Sequence, residues 1–233
     1  MNSDRKTAII VGVLFVFATA FALISSGLTG PITGSQDFLV KASANENQMI
    51  IGVLFQLAAT ISVVLIPAML FTVLRRYDER IALGYFGIRI LESFTLFAGA
   101  IGTLLLVTLS QEYVKAVASA VPYFQTSGAL LQGLLNWVFP LNPIIFGVGA
   151  IMFYYLLFNT QLLPRWLSIW GIIGAILVIT AGVLGMFSSF LTVLALPIAV
   201  QEMAMAAWMI IKGFNTSTIP SEFTTKSDKL KMD

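Results

Sequence analysis

The sequence contains no cysteine and no histidine among its 233 residues. Disulfide bonds, thiolate nucleophiles and cysteine metal ligands are therefore excluded. The absence of imidazole also excludes bis-histidine haem, most zinc chemistry and every histidine-based catalytic triad. We accordingly predict neither a metal site nor a bound cofactor.

Charged side chains are scarce as well. They make up 10% of the residues, against 58% hydrophobic ones, and the mean hydropathy is +0.92. A soluble domain typically carries about 25% charged residues. Because so few charges do not cover a water-facing surface of this size, part of the surface must face lipid. The composition predicts an all-α fold, a polytopic bundle of transmembrane helices in contact with the lipid bilayer.

Six segments are apolar over the roughly 20 residues that a membrane-spanning helix needs. The first resembles a signal peptide, but its apolar run is too long and no clear cleavage site precedes the next polar segment. A short interfacial helix is expected within 112–121, between the third and fourth spans. The predicted spans are about 7–28, 49–74, 81–109, 132–158, 166–186 and 191–211, between an N-terminal segment 1–6 and a disordered tail 212–233.

The distribution of lysine and arginine predicts the orientation of the bundle. With both termini in the cytoplasm, ten of the 13 basic residues lie inside, Lys41 and Lys115 lie outside, and Arg89 falls within a span. Membrane proteins carry such an excess of basic residues on the cytoplasmic side. We therefore predict that both termini are cytoplasmic. Since this excess accounts for the positive charges, it gives no reason to expect nucleic-acid binding.

Three ionisable residues fall inside the predicted spans, namely Arg89, Glu92 and Glu202. Arg89 and Glu92 are three residues apart and share a helical face with Tyr85. At 1.5 Å per residue, Arg89, Glu92 and Glu202 lie about 12, 16 and 15 Å from the cytoplasmic ends of their spans. Because charged residues within membranes normally face the bundle interior and pair, we expect the three to form one cluster.

One guanidinium and two carboxylates sum to a charge of −1 when all are ionised. Either one glutamate carries a proton or the site recruits a cation. Both outcomes are typical of a proton-coupled or cation-binding site. The alternative is a structural clamp in which Arg89 bridges two helices beside one neutral acid.

The fourth span carries a second polar group, which consists of Gln132, Asn136 and Asn142 beside Pro140 and Pro143. Prolines interrupt the helical hydrogen-bond ladder, and in a membrane such a break is covered by protein or lines a cavity. The group is interpreted either as a wall of a ligand cavity or as a kinked helix whose amides bond to neighbours. Partners expected in the same polar interior are Gln56 and Gln201.

Five groups of residues form recognisable motifs. They are Leu83-Gly84-Tyr85 with Arg89 and Glu92; Pro122-Tyr123-Phe124-Gln125; Phe146-Gly147 with Phe153-Tyr154-Tyr155-Leu156-Leu157; Pro164-Arg165-Trp166-Leu167-Ser168 with Trp170-Gly171; and Gln201-Glu202-Met203 with Trp208 and Lys212-Gly213-Phe214. Together these motifs resemble the bacterial integral-membrane family known as domain of unknown function 4386, over nearly the whole chain. The resemblance implies a one-domain protein of a bacterial inner or plasma membrane, and it implies no activity.

Three functional hypotheses follow. The first is a binding or transport protein for a lipophilic or cationic small molecule or a proton, at Arg89, Glu92 and Glu202, with Tyr85, Asn136 and Asn142 lining the site. The second is an accessory protein that contacts a membrane-protein partner, or a second copy of itself, through packing faces of small residues. The third is an intramembrane enzyme that uses a glutamate as general acid or base. The second hypothesis assigns those faces to Gly147, Gly149, Gly171, Gly174, Gly182 and Gly185.

Overall fold

The computed structural model describes residues 3–188 and 191–215. Over these residues the secondary structure is helical, without strands. Most of the predicted tail 212–233 lies outside the described residues, as do parts of the N-terminal segment 1–6 and of the turn before the sixth span. The helices are α1 Ser3–Thr33, α2 Phe38–Ala44, α3 Glu46–Leu74, α4 Glu79–Tyr113, α5 Val121–Thr160, α6 Arg165–Phe187 and α7 Leu196–Ile211, the last preceded by a 3-10 turn Thr192–Ala195.

Six of the described helices are long and apolar enough to cross a membrane, which confirms the predicted fold class. They are α1, α3, α4, α5, α6 and α7 with its 3-10 turn. Most extend past the predicted spans, because their ends continue beyond the apolar core of each segment. The connections between the helices lie at the two opposite ends of the bundle. The end that holds Ser3, residues 75–78, residues 161–164 and Asn215 is called the terminal end here, and the opposite one the far end.

Local sequence fixes several helix boundaries. Asp78 accepts a hydrogen bond from the Ile81 amide at 3.0 Å and so caps the start of α4. Gln161 follows α5 with a left-handed φ of 55°, a conformation that terminates helices. Pro164 then stands immediately before α6. These signals set the short connections at the terminal end.

Two local predictions were wrong. The fourth span was expected to be interrupted, but α5 runs as one helix through Pro140 and Pro143. Each proline removes a single ladder bond, and with no water to compete for the remaining groups the helix continues. The expected interfacial helix within 112–121 is replaced by the end of α4, a turn and the start of α5. The short helix is instead α2, which packs against α4.

The six long helices are arranged in a ring. Around it, α1 contacts α3, α3 contacts α4, α4 contacts α5, α5 contacts α6, α6 contacts α7, and α7 contacts α1. At the terminal end Arg5 donates hydrogen bonds to the carbonyl oxygens of Met209 and Ile210 at 3.0 and 2.7 Å. Arg76 pairs with Asp4 at 2.9 Å in the same region. Charged groups thus hold α1, α3 and α7 together at this end, below the interior that the ring encloses.

Candidate functional site

Arg89 and Glu92 form a buried ion pair inside the ring. Arg89 Nη1 lies 2.8 Å from Glu92 Oε2, and each residue is 4% exposed. The guanidinium carbon also lies 5.4 Å from the centre of the Phe146 ring. Among the described residues neither Arg89 Nε nor Glu92 Oε2 has an aligned hydrogen-bond partner. The pair is therefore held mainly by charge, and its two charges cancel.

Packing between α4 and α5 fixes the position of this pair. Tyr85, one turn before Arg89, stacks on Phe153 of α5 with ring centres 4.9 Å apart. Gly149 lets the helices approach closely, because an added Cβ there would lie 3.0 Å from Ile88 and 3.6 Å from Arg89 Cδ. Aromatic stacking and a missing side chain together place the guanidinium against the interior of the ring.

Glu202 approaches the same interior from α7. It is half-buried and shares with Arg89 and Glu92 the lining of a cavity of about 390 Å³. Its carboxylate interacts electrostatically with both of those residues. Within the described part of the chain, however, Glu202 makes no ion pair within 4.0 Å and no side-chain hydrogen bond. With Arg89 paired to Glu92, Glu202 lines the cavity without an ion-pair partner of its own among the described residues.

The Glu202 cavity has aromatic, small and amide side chains on its walls. A second cavity of about 490 Å³ adjoins it toward the far end, and Ser26, Gln56, Leu96 and Asn142 line both. Asn142 Nδ2 donates a hydrogen bond to Thr95 Oγ1 at 3.0 Å, which fixes its amide. Together the two cavities form a mainly apolar interior with a few polar side chains, which extends from the level of Glu202 toward the far end.

The structure separates the remaining residues of the predicted site. Tyr85 is buried against Phe153 and lines neither cavity. Gln201 is fully buried, accepts a hydrogen bond from Tyr154 at 2.6 Å and donates one to the Leu167 carbonyl at 2.9 Å, so that it joins α5, α6 and α7. Asn136 lies on the exposed face of α5, away from both cavities.

Sequence reasoning missed the contribution of α1. Phe15, Thr19, Leu23 and Ser26 all line the Glu202 cavity. Their spacing of four, four and three residues is that of a single helical face. The sequence signal for this wall was therefore the presence of two hydroxyl residues, Thr19 and Ser26, on one face of a long apolar helix. An isolated hydroxyl does not stand out, because it bonds readily to its own backbone.

Chemically, the arrangement suits a single positive charge. No group of three or more metal-ligating side chains occurs among residues 3–188 and 191–215. A carboxylate beside aromatic walls attracts an organic cation by charge and by the ring quadrupole. With Glu92 already paired, Glu202 is the acid that faces the open space.

The fold and this site define a multi-pass membrane protein with a charged cavity inside a ring of six helices. The chain belongs to the family described as Domain of unknown function (DUF4386), whose model matches residues 10–213. The match confirms the resemblance seen in the sequence motifs. Comparisons with curated proteins and with solved structures found no match.

Proposed function

We propose that the protein binds a small organic cation at Glu202 and carries it across the membrane, and that Glu202 holds a proton when the cation is absent. The observation that carries the proposal is the position of Glu202. Glu202 lines a cavity of about 390 Å³, and no described residue forms an ion pair with its carboxylate within 4.0 Å.

Charge balance within the membrane favours a bound proton or cation at Glu202. Placing a charge at the centre of a membrane helix costs roughly 2.5–3.5 kcal/mol on insertion scales. Arg89 and Glu92 avoid much of this cost by pairing at 2.8 Å. Glu202 is neutralised by one further positive charge, which is either a bound proton or a bound cation. Because the two compete for the same carboxylate, binding of the cation displaces the proton.

We further propose that the protein lies in the inner or plasma membrane of a bacterium, with both termini in the cytoplasm. The terminal end carries Arg75, Arg76, Arg80 and Arg165 in its short connections and helix starts, which supports this orientation.

The test measures binding of tetraphenylphosphonium, a permanent organic cation, to the purified protein in detergent. We expect it to raise the thermal unfolding temperature of the wild type, because a ligand that binds the folded state stabilises it. Glu202→Gln should remove the shift. Glu112→Gln, which changes a carboxylate that is 60% exposed, should retain it. A full shift in Glu202→Gln would contradict the proposed site.

Proton displacement is tested by titration calorimetry of the same probe in two buffers with different ionisation enthalpies. The wild type should show a heat that depends on the buffer, since a proton leaves Glu202 as the cation binds. Equal heats in both buffers would show that the cation binds without proton exchange. Glu202→Gln should give no buffer-dependent heat.

A further inference from the structure

One face of α1 changes from buried to exposed along its length. Phe15 is 3% exposed, whereas Leu23, two turns further toward the far end, is 69% exposed. Thr19 between them is half-buried, and Ser26 beyond them is exposed. All four line the Glu202 cavity. The wall that α1 provides therefore opens progressively toward the far end.

The opening lies beside α7. Near the terminal end the two helices touch, because an added Cβ on Gly12 would lie 2.8 Å from the Ala206 carbonyl oxygen. Toward the far end α1 stays packed on α3, where an added Cβ on Gly52 would lie 3.4 Å from Leu28 Cβ. Toward the far end α1 therefore stays packed on α3, while the face of α1 that contacts α7 near the terminal end becomes exposed. We infer that α1 and α7 diverge on the far-end side of Ala206.

The other edge of the opening is formed by α5. Phe139 is 58% exposed and lines the second cavity, together with Ala195 at the start of α7. The lateral cleft is defined here as the opening between Leu23 and Ser26 on one side and Phe139 on the other. It lies within the apolar length of these helices, at the depth of the hydrocarbon.

The chemistry changes from the edge of the cleft to its interior. The edges are mainly apolar, with Leu23 and Phe139, while the interior carries Gln56, Asn142 and the Glu202 carboxylate. A molecule that fits this gradient has a hydrocarbon part that partitions into the bilayer and one positive head group. A small hydrophilic cation gains nothing from the apolar edges and crosses lipid poorly.

We propose that the ligand is a single-chain cationic amphiphile, an alkylammonium, which enters sideways from the bilayer through the lateral cleft. Its head group reaches Glu202, and its chain occupies the second cavity. This inference rests on the proposed function, because it assumes that Glu202 binds a cation. It adds the class of the ligand and its route.

The test uses radiolabelled dodecyltrimethylammonium with the protein in lipid nanodiscs, and empty discs correct for partition into lipid. Equilibrium binding gives the affinity, and a chase with unlabelled probe followed by rapid filtration gives the dissociation rate. Leu23→Trp should slow dissociation severalfold with little change in affinity, because a larger side chain at the edge obstructs both entry and exit. Ile24→Trp is the matched control, since Ile24 is an exposed neighbour that lines neither cavity. It should leave the rate unchanged.

The outcomes separate this inference from the proposed function. If Glu202→Gln abolishes binding but Leu23→Trp dissociates at the wild-type rate, the site stands and the lateral route is overturned. If wild type and Glu202→Gln bind the probe equally, the proposed function itself fails. Tetramethylammonium, which has the same head group without the chain, should compete only weakly. Equal competition by tetramethylammonium would overturn the assignment of an amphiphile.

Discussion

At the scale of single residues, Arg89 and Glu202 have different roles although both lie within the membrane. Arg89 is buried and paired with Glu92 on its own helix, so its charge is satisfied by the fold. Glu202 faces the cavity from another helix. The sequence suggested either a clamp or a binding site for the whole cluster. Because Arg89 pairs with Glu92 on the same helix, this ion pair does not bridge two helices as the clamp hypothesis expected, and our proposal assigns ligand binding to Glu202.

The buried ion pair of Arg89 and Glu92 predicts a specific stability effect. Arg89→Met should destabilise the protein by about 3–5 kcal/mol, because it leaves the Glu92 carboxylate buried without its partner. The double variant Arg89→Met, Glu92→Met should recover much of this loss, since neither charge then remains. A denaturant titration of the purified protein in detergent would measure the free energy of unfolding of both variants.

Lys115 and Glu112 provide the matched control. They form a pair with the same spacing of three residues at 3.2 Å, but their side chains are 66% and 60% exposed. Lys115→Met should therefore change stability by no more than about 1 kcal/mol. If Arg89→Met proves as mild as Lys115→Met, the buried pair of Arg89 and Glu92 does not stabilise the fold.

At the scale of helices, glycines serve contacts within the chain. Gly147 adjoins Ile179, Gly171 adjoins the Tyr154 ring, Gly174 adjoins Ile198, and Gly182 adjoins Ile144. The hypothesis of an accessory protein assigned these glycines, with Gly149, to contacts with a partner. Neighbouring helices of the same chain pack against five of the six glycines that this hypothesis named. These five glycines therefore do not offer a surface to a second protein.

Helix packing predicts opposite results for two glycine substitutions. Gly171→Ala should destabilise the fold by about 1–3 kcal/mol, because its Cβ would lie 2.6 Å from the rigid Tyr154 ring. Gly87→Ala should be neutral or stabilise by up to about 1 kcal/mol, since no described atom lies within 4 Å of the added Cβ. Thermal unfolding of both variants in the same detergent would check this. Equal stability would mean that α5 and α6 are less tightly packed than the structure shows.

Apolar length and the spacing of residues along each helix predict part of this site. The existence of six long helices follows from apolar length, and the pairing of Arg89 with Glu92 follows from their spacing. Asn136 and Asn142 were placed in one site, yet residues six apart on a helix point about 120° away from each other. Only one of them lines the cavities. Periodicity gives the angle between residues on one helix, but not which neighbour that helix packs against, so Gln201 and the α1 wall required the structure.

At the scale of the whole molecule, the absence of cysteine makes the predicted orientation directly testable. Glu79→Cys and Ser119→Cys each introduce one exposed thiol, at the terminal end and at the far end of the bundle. With both termini in the cytoplasm, a membrane-impermeant maleimide added to intact cells should label Ser119→Cys. Glu79→Cys should be labelled only after permeabilisation. The reverse pattern would invert the bundle, and the unsubstituted chain provides a background without thiols.

The depth of Glu202 has an electrical consequence. It lies nine residues before Ile211, the end of α7, which corresponds to about 14 Å, roughly half of a hydrocarbon core of about 30 Å. A cation that travels from outside to this depth crosses about half of the membrane voltage. One charge moving through 100 mV changes in energy by about 2.3 kcal/mol, so half the field contributes about 1 kcal/mol. In the proposed exchange, a cation that enters from outside an inside-negative cell gains this energy, and a proton released back to the outside loses the same amount, so filling of the site from outside is independent of the voltage.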